Sequence, residues 1–120
     1  MDLRKDNLVL EKSFQFSLDI IKYVEKLEAE RKFIVANQLL KSGTSIGANI
    51  FEAQDAESNA DFIHKLKIAS KELSETYYWL KLCNASDTYP NCDDLIEKLE
   101  NISKILNKII STLKIKNKQL

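Results

Sequence analysis

From residue 62 to residue 83 the chain places Phe62, Leu66, Ala69, Leu73, Thr76, Leu80 and Cys83 four and three apart in strict turn. That spacing keeps one face of an α-helix pointing one way, whereas a strand needs a period of two. Leu95, Leu99, Ile102, Leu106, Ile109 and Leu113 repeat it. With two further periodic stretches before these, the sequence predicts helices at roughly 8–29, 32–56, 59–84 and 91–115. Little interrupts them, because the 120 residues hold one proline, Pro90, and two glycines. The only turn-rich stretch is "ASDTYPNCDD" at 85–94. Within it Asn91 can cap the fourth helix, and Asp93 and Asp94 complement the positive end of its dipole. Short connections elsewhere favour antiparallel neighbours, so the expected fold is all-α, an antiparallel up-down-up-down four-helix bundle. A chain of this length forms one domain, spanning 1–120.

Both glycines, Gly43 and Gly47, fall in the middle of the second helix. On a helical wheel Gly43 shares a line with Ala36 and Ile50, with Leu39, Leu40, Ile46 and Gly47 beside it. A glycine inside a helix costs about 1 kcal/mol relative to alanine, and a close helix contact is the natural compensation. The sequence therefore predicts helix packing at Gly43 and Gly47. A phosphate-binding loop needs other glycine spacings, a lysine and a preceding strand, and none of these is present.

Lys plus Arg and Asp plus Glu each number 18, so no global field attracts nucleic acid or an anionic membrane. No 18-residue apolar window and no secretory pattern occurs, which predicts a soluble cytoplasmic protein without a membrane partner. Cys83 and Cys92 flank the turn-rich stretch and are expected as reduced, partly buried thiols. With the lone His64, expected on a helix surface, they fall short of the four ligands of a structural zinc site.

The first helix carries more apolar surface than one core needs. Leu10, Phe14, Leu18, Ile21 and Val24 mark one side, and Val9, Phe16, Ile20, Tyr23 and Leu27 mark an adjoining one. On the third helix Ile68, Trp79 and Leu82 lie roughly opposite the core stripe, among charges. Such a double apolar face predicts self-association, with Ile68, Trp79, Leu82, Phe16 and Ile20 at the contact between subunits.

The run "SIGANIFEA" at 45–53, followed by "SNADFIHKLKIASKELSETYYWL" at 58–80, resembles the signature region of the four helix bundle protein family, also called the 23S rRNA intervening sequence protein family. The resemblance implies a small bacterial protein, a four-helix bundle and a homopentamer. Some relatives are encoded within inserts in 23S rRNA genes, and a related accessory protein of diversity-generating retroelements is linked to nucleic-acid binding through a basic surface. No catalytic residue and no cofactor come with the resemblance.

Three function classes follow. An enzyme needs a catalytic constellation, and helical spacing spreads the acidic residues Glu52, Asp55, Glu57 and Asp61 apart instead, so none is expected. A nucleic-acid-binding module is the competitor, because Lys104, Lys108, Lys114, Lys116 and Lys118 follow residue 103 with no acid between them. Against it stand zero net charge and the lack of aromatic residues among those lysines. A homo-oligomeric assembly or interaction protein is the preferred reading, with RNA or DNA as the alternative partner and no small-molecule substrate or cofactor.

Overall fold

The computed structural model describes residues 8–119, with side chains through Lys116. It holds four helices: α1 (Leu8–Ala29), α2 (Phe33–Ala53), α3 (Asn59–Ala85) and α4 (Asp93–Gln119). α1 packs on α2 and α4, and α3 on α2 and α4. The four helices thus close a square around one core, in a body of 52 × 22 × 20 Å.

Each boundary has a local cause. α1 ends where Arg31 takes a left-handed conformation, φ 63°. There the amide of Lys32 reaches back to the carbonyl of Leu27 and that of Arg31 to Glu28, both at 2.9 Å, satisfying carbonyls the helix end would orphan. α3 begins at Ser58, whose hydroxyl accepts from the amide of Asp61 at 3.0 Å. Between α3 and α4 Asn91 accepts from the amide of Asp93 at 3.0 Å, and Asn84 accepts from the amide of Cys92 at 3.1 Å. The Tyr23 hydroxyl donates to the carbonyl of Pro90 at 2.7 Å, tying α1 to this turn.

The core corrects the expected orientation of α1. Phe16 and Ile20, expected at a subunit contact, are 1% and 0% exposed and fill the protein's own interior. Phe14, Leu18 and Ile21, from the other apolar side of the helix, stand outside instead. The helix buries Val9, Ser13, Phe16, Ile20, Tyr23, Val24 and Leu27. Ser13 is what misleads: its hydroxyl donates to the carbonyl of Leu10 at 3.0 Å, so it enters the core satisfied and breaks the apolar pattern. On α4 the inward position is Ile110, with Ile109 only half-buried.

α1 and α2 approach closely at the glycines. A Cβ on Gly43 would lie 3.0 Å from two carbons of Ile20, and one on Gly47 would lie 3.2 Å from the backbone oxygen of Ser13 and from Ser17 Oγ. Two polar links join other helices. Thr76 Oγ1 donates to the carbonyl of Glu72 at 2.7 Å and shares a 3.0 Å hydrogen bond with Ser42 Oγ across the α2–α3 contact. Lys98 on α4 bridges Asp19 on α1 at 2.8 Å and Asp94 at 3.2 Å. Burial pushes the Asp19 carboxyl up, but Lys98 and the Gln15 amide together outweigh it and hold the group below the usual carboxylate range. Both cysteines are free and buried, and burial, followed by Cys83 beside it, pushes the Cys92 thiol up to about 11.

Two outcomes follow from this packing. Gly43→Leu should destabilise the fold by about 1–3 kcal/mol or more, since even a Cβ there meets the fully buried Ile20 at 3.0 Å and leucine adds three carbons beyond it; thermal melting at the parent temperature would refute the close contact. Because the folded state lowers the Asp19 pKa, its contribution is present above the unfolded value, about 4, and is lost as pH falls through the folded value. The stability difference between the parent and Asp19→Asn, measured by urea unfolding, should therefore shrink on acidification below pH ~4. A difference that is constant with pH would show that Asp19 does not titrate with folding.

Candidate interaction surfaces

α2 carries two charged residues in its 21, Lys41 and Glu52, although one side of it faces solvent. Phe33, Ile34, Leu40 and Phe51 are exposed on it, Ile34 by 81% and Phe51 by 66%. Next to it α1 presents Leu10, Phe14, Leu18 and Ile21, at steps of four, four and three that form a single ridge. Between the ridges runs a groove of about 750 Å³, lined by Phe14, Phe51, Thr44, Gly47 and Ala48, with Glu11 and Glu52 among them. The groove has apolar walls, so it can take an apolar surface.

A second cleft, of about 540 Å³, lies between α3 and α4. His64, Lys67, Lys71 and Lys114 line it, with Ile68, Ser74 and Ile110. Lys67 stands close enough to Lys114 to hold its pKa below the usual lysine range. Two ammonium groups pressed together in this way favour an anion between them.

The expected contact residues part company here. Leu82 is 44% exposed, while Ile68 and Trp79 are half-buried. Trp79 packs against the protein's own core, and its indole N–H donates to Glu75 at 3.2 Å. Of the α4 lysines, Lys104, Lys108, Lys114 and Lys116 are exposed, and the side chain of Lys118 lies outside the described residues. They do not form one patch: Lys104 and Lys108 share a stripe at i and i+4, whereas Lys114 turns toward α3. Sequence reasoning missed Phe14, Leu18, Ile21, Phe33, Ile34 and Phe51 as surface. The scarcity of charge in α2 was the signal available for finding them.

Among the described residues no group of three or more His, Cys, Asp or Glu side chains could hold a metal ion, and no helix is long and apolar enough to cross a membrane.

Comparison with known proteins agrees with this geometry. No curated protein matches the chain. Among solved structures, the chain is similar to a protein of unknown function from the S23 ribosomal protein family of Bacteroides thetaiotaomicron VPI-5482, determined at 1.70 Å. The two share 44% identity and a TM-score of 0.84, over 89% of this chain and 98% of the other. The family model for 23S rRNA-intervening sequence protein matches residues 5–108. With most of its length matched and its four helices in the same arrangement as that relative, the chain belongs to the 23S rRNA-intervening sequence protein family.

Proposed function

We propose that this protein is a non-catalytic assembly module of the bacterial cytoplasm: a single antiparallel up-down-up-down bundle over residues 1–120 that associates with copies of itself, as the pentamer that the family resemblance implies. The observation that carries this reading is the apolar side chain left outside a core that is already closed. Phe14, Leu18, Ile21, Phe33, Ile34 and Phe51 all stand exposed on two adjacent helices. A monomer's largest apolar patch is ordinarily about 300–600 Å², and larger ones mark binding surfaces. No substrate or cofactor enters this reading. Its role is to present a surface that a single chain does not offer.

The second reading, nucleic-acid binding, draws support from the cleft between α3 and α4. Lys67, Lys71 and Lys114 converge there with His64, and repeating the cleft around an assembly would multiply its phosphate contacts.

Sedimentation at micromolar concentration tests the first reading. A pentamer of the 13.8 kDa chain sediments near 69 kDa, five times the chain mass, and a stable monomer would overturn it. For the second, single-stranded RNA should bind at low salt and weaken steeply as salt rises, and Lys67→Gln should lower the salt slope by about one. RNA that stays unbound even at low salt would eliminate that reading.

A further inference from the structure

We infer that the cleft between α3 and α4 is a site for one dianionic phosphate group, that of inorganic phosphate or of a phosphomonoester. It is the cleft on which the second reading above draws, with a different ligand. Lys67 and Lys71, at i and i+4 on α3, put two ammonium groups on one face, and Lys114 adds a third from α4. Beside them stand His64 and two neutral donors, the Ser70 hydroxyl and the Asn107 amide. Ile68 and the buried Ile110 complete the lining, and next to them a bound charge meets less water than on an open surface.

The charge around the cleft is one-sided. No carboxylate lines it. α4 carries no acid after Glu100, which lines an adjoining cleft with Leu99 and Ser103. Of the three acids on α3, Asp61 accepts the backbone amide of Glu57 at 3.3 Å, and Glu75, one turn beyond Lys71, accepts the indole N–H of Trp79 at 3.2 Å. Glu72 follows Lys71 by one residue and so stands about 100° around the helix from it. Among the described residues the ion-paired lysine is Lys98, and none of the three cleft lysines joins an ion pair. Lys67 and Lys114 instead crowd one another, and an anion seated between them relieves the crowding.

Size and charge number then select the ligand. At about 540 Å³ the cleft has the dimensions of a small-ligand site, whereas a groove for single-stranded nucleic acid follows the backbone for about 4–16 nucleotides. The lysines do not continue into such a track, because Lys104 and Lys108 stand on another stripe of α4. A terminal phosphate carries about 1.5–2 negative charges at pH 7 and three acceptor oxygens, against one charge on each backbone phosphate. Three ammonium groups around one place match the former.

Thermal melting tests this, with sodium phosphate titrated against sodium chloride at equal ionic strength. Phosphate should raise the melting temperature above that in chloride, and ribose 5-phosphate should do so where ribose does not. Lys67→Gln and Lys114→Gln, both at exposed positions, should each weaken the phosphate affinity at least about tenfold, the loss of one hydrogen bond to a charged group. Far-ultraviolet circular dichroism checks their helicity, and either variant serves if the other loses it. Lys104→Gln/Lys108→Gln, outside the cleft, should leave the affinity unchanged. A single-stranded DNA oligomer with a 5′-phosphate, compared with its 5′-hydroxyl form, distinguishes the sources. Given a response to inorganic phosphate, tighter binding of the phosphorylated oligomer extends the site to chain ends, and no preference between the two assigns it to free phosphate and small monoesters. Equal melting in phosphate and chloride, or a phosphate response that survives both cleft variants, would overturn the site. Oligomers that bind equally well, through Lys67 and with no response to inorganic phosphate, would overturn it while the second reading stands.

Discussion

The close approach of α1 and α2 is the constraint on which the rest of the structure depends. Gly43 gives its Cβ position to Ile20, and Gly47 gives its own to the Ser13 backbone and the Ser17 hydroxyl. A side chain at either place would press on those neighbours, which would have to give by a few tenths of an ångström. The approach fixes the rotation of α1, because Ile20 must point at Gly43, and Phe16 and Leu27 then turn inward with it. The same rotation turns Phe14, Leu18 and Ile21 outward. A packing requirement inside the bundle thus determines what its surface offers.

Polar contacts specify this arrangement more than they drive it. The hydroxyl pair of Thr76 and Ser42 lies at a fully buried helix contact, and neither oxygen could be left unpaired there without a cost of about 1–3 kcal/mol. Lys98 ties α4 to α1 through Asp19, which is largely buried, and reaches the exposed Asp94 as well. The exposed half of that network contributes little to stability, while the buried half fixes how α4 sits against α1. Around the turn before α4, Asn84 and Asn91 satisfy amides that the start of the helix leaves without partners, and Tyr23 satisfies the carbonyl of Pro90.

Surface chemistry differs between the two clefts. The one between α1 and α2 is lined by aromatic, aliphatic and small side chains with Glu11 and Glu52, and the one between α3 and α4 by His64, Lys67, Lys71 and Lys114. A net charge of zero hides this local contrast, since 18 positive and 18 negative residues cancel only in the sum.

The number and extent of the helices were legible in the sequence, because a three-and-four apolar repeat admits no strand and the expected limits 8–29 and 59–84 meet observed helices at Leu8–Ala29 and Asn59–Ala85. The stripes of α3 and most of α4 were legible for the same reason: each has one apolar face and a charged back. α1 has two apolar faces, and period alone does not rank them. Ser13 interrupts the truly buried one, while Phe14, Leu18 and Ile21 extend the other. Nor did any glycine announce the turn at Arg31, whose left-handed backbone is held by the helix end around it. The sequence by itself determined that four amphipathic helices must share a core, since burying their stripes is the only way to remove that much apolar surface from water. Which face of α1 enters that core was decided only in three dimensions, where Ile20 meets the space that Gly43 leaves.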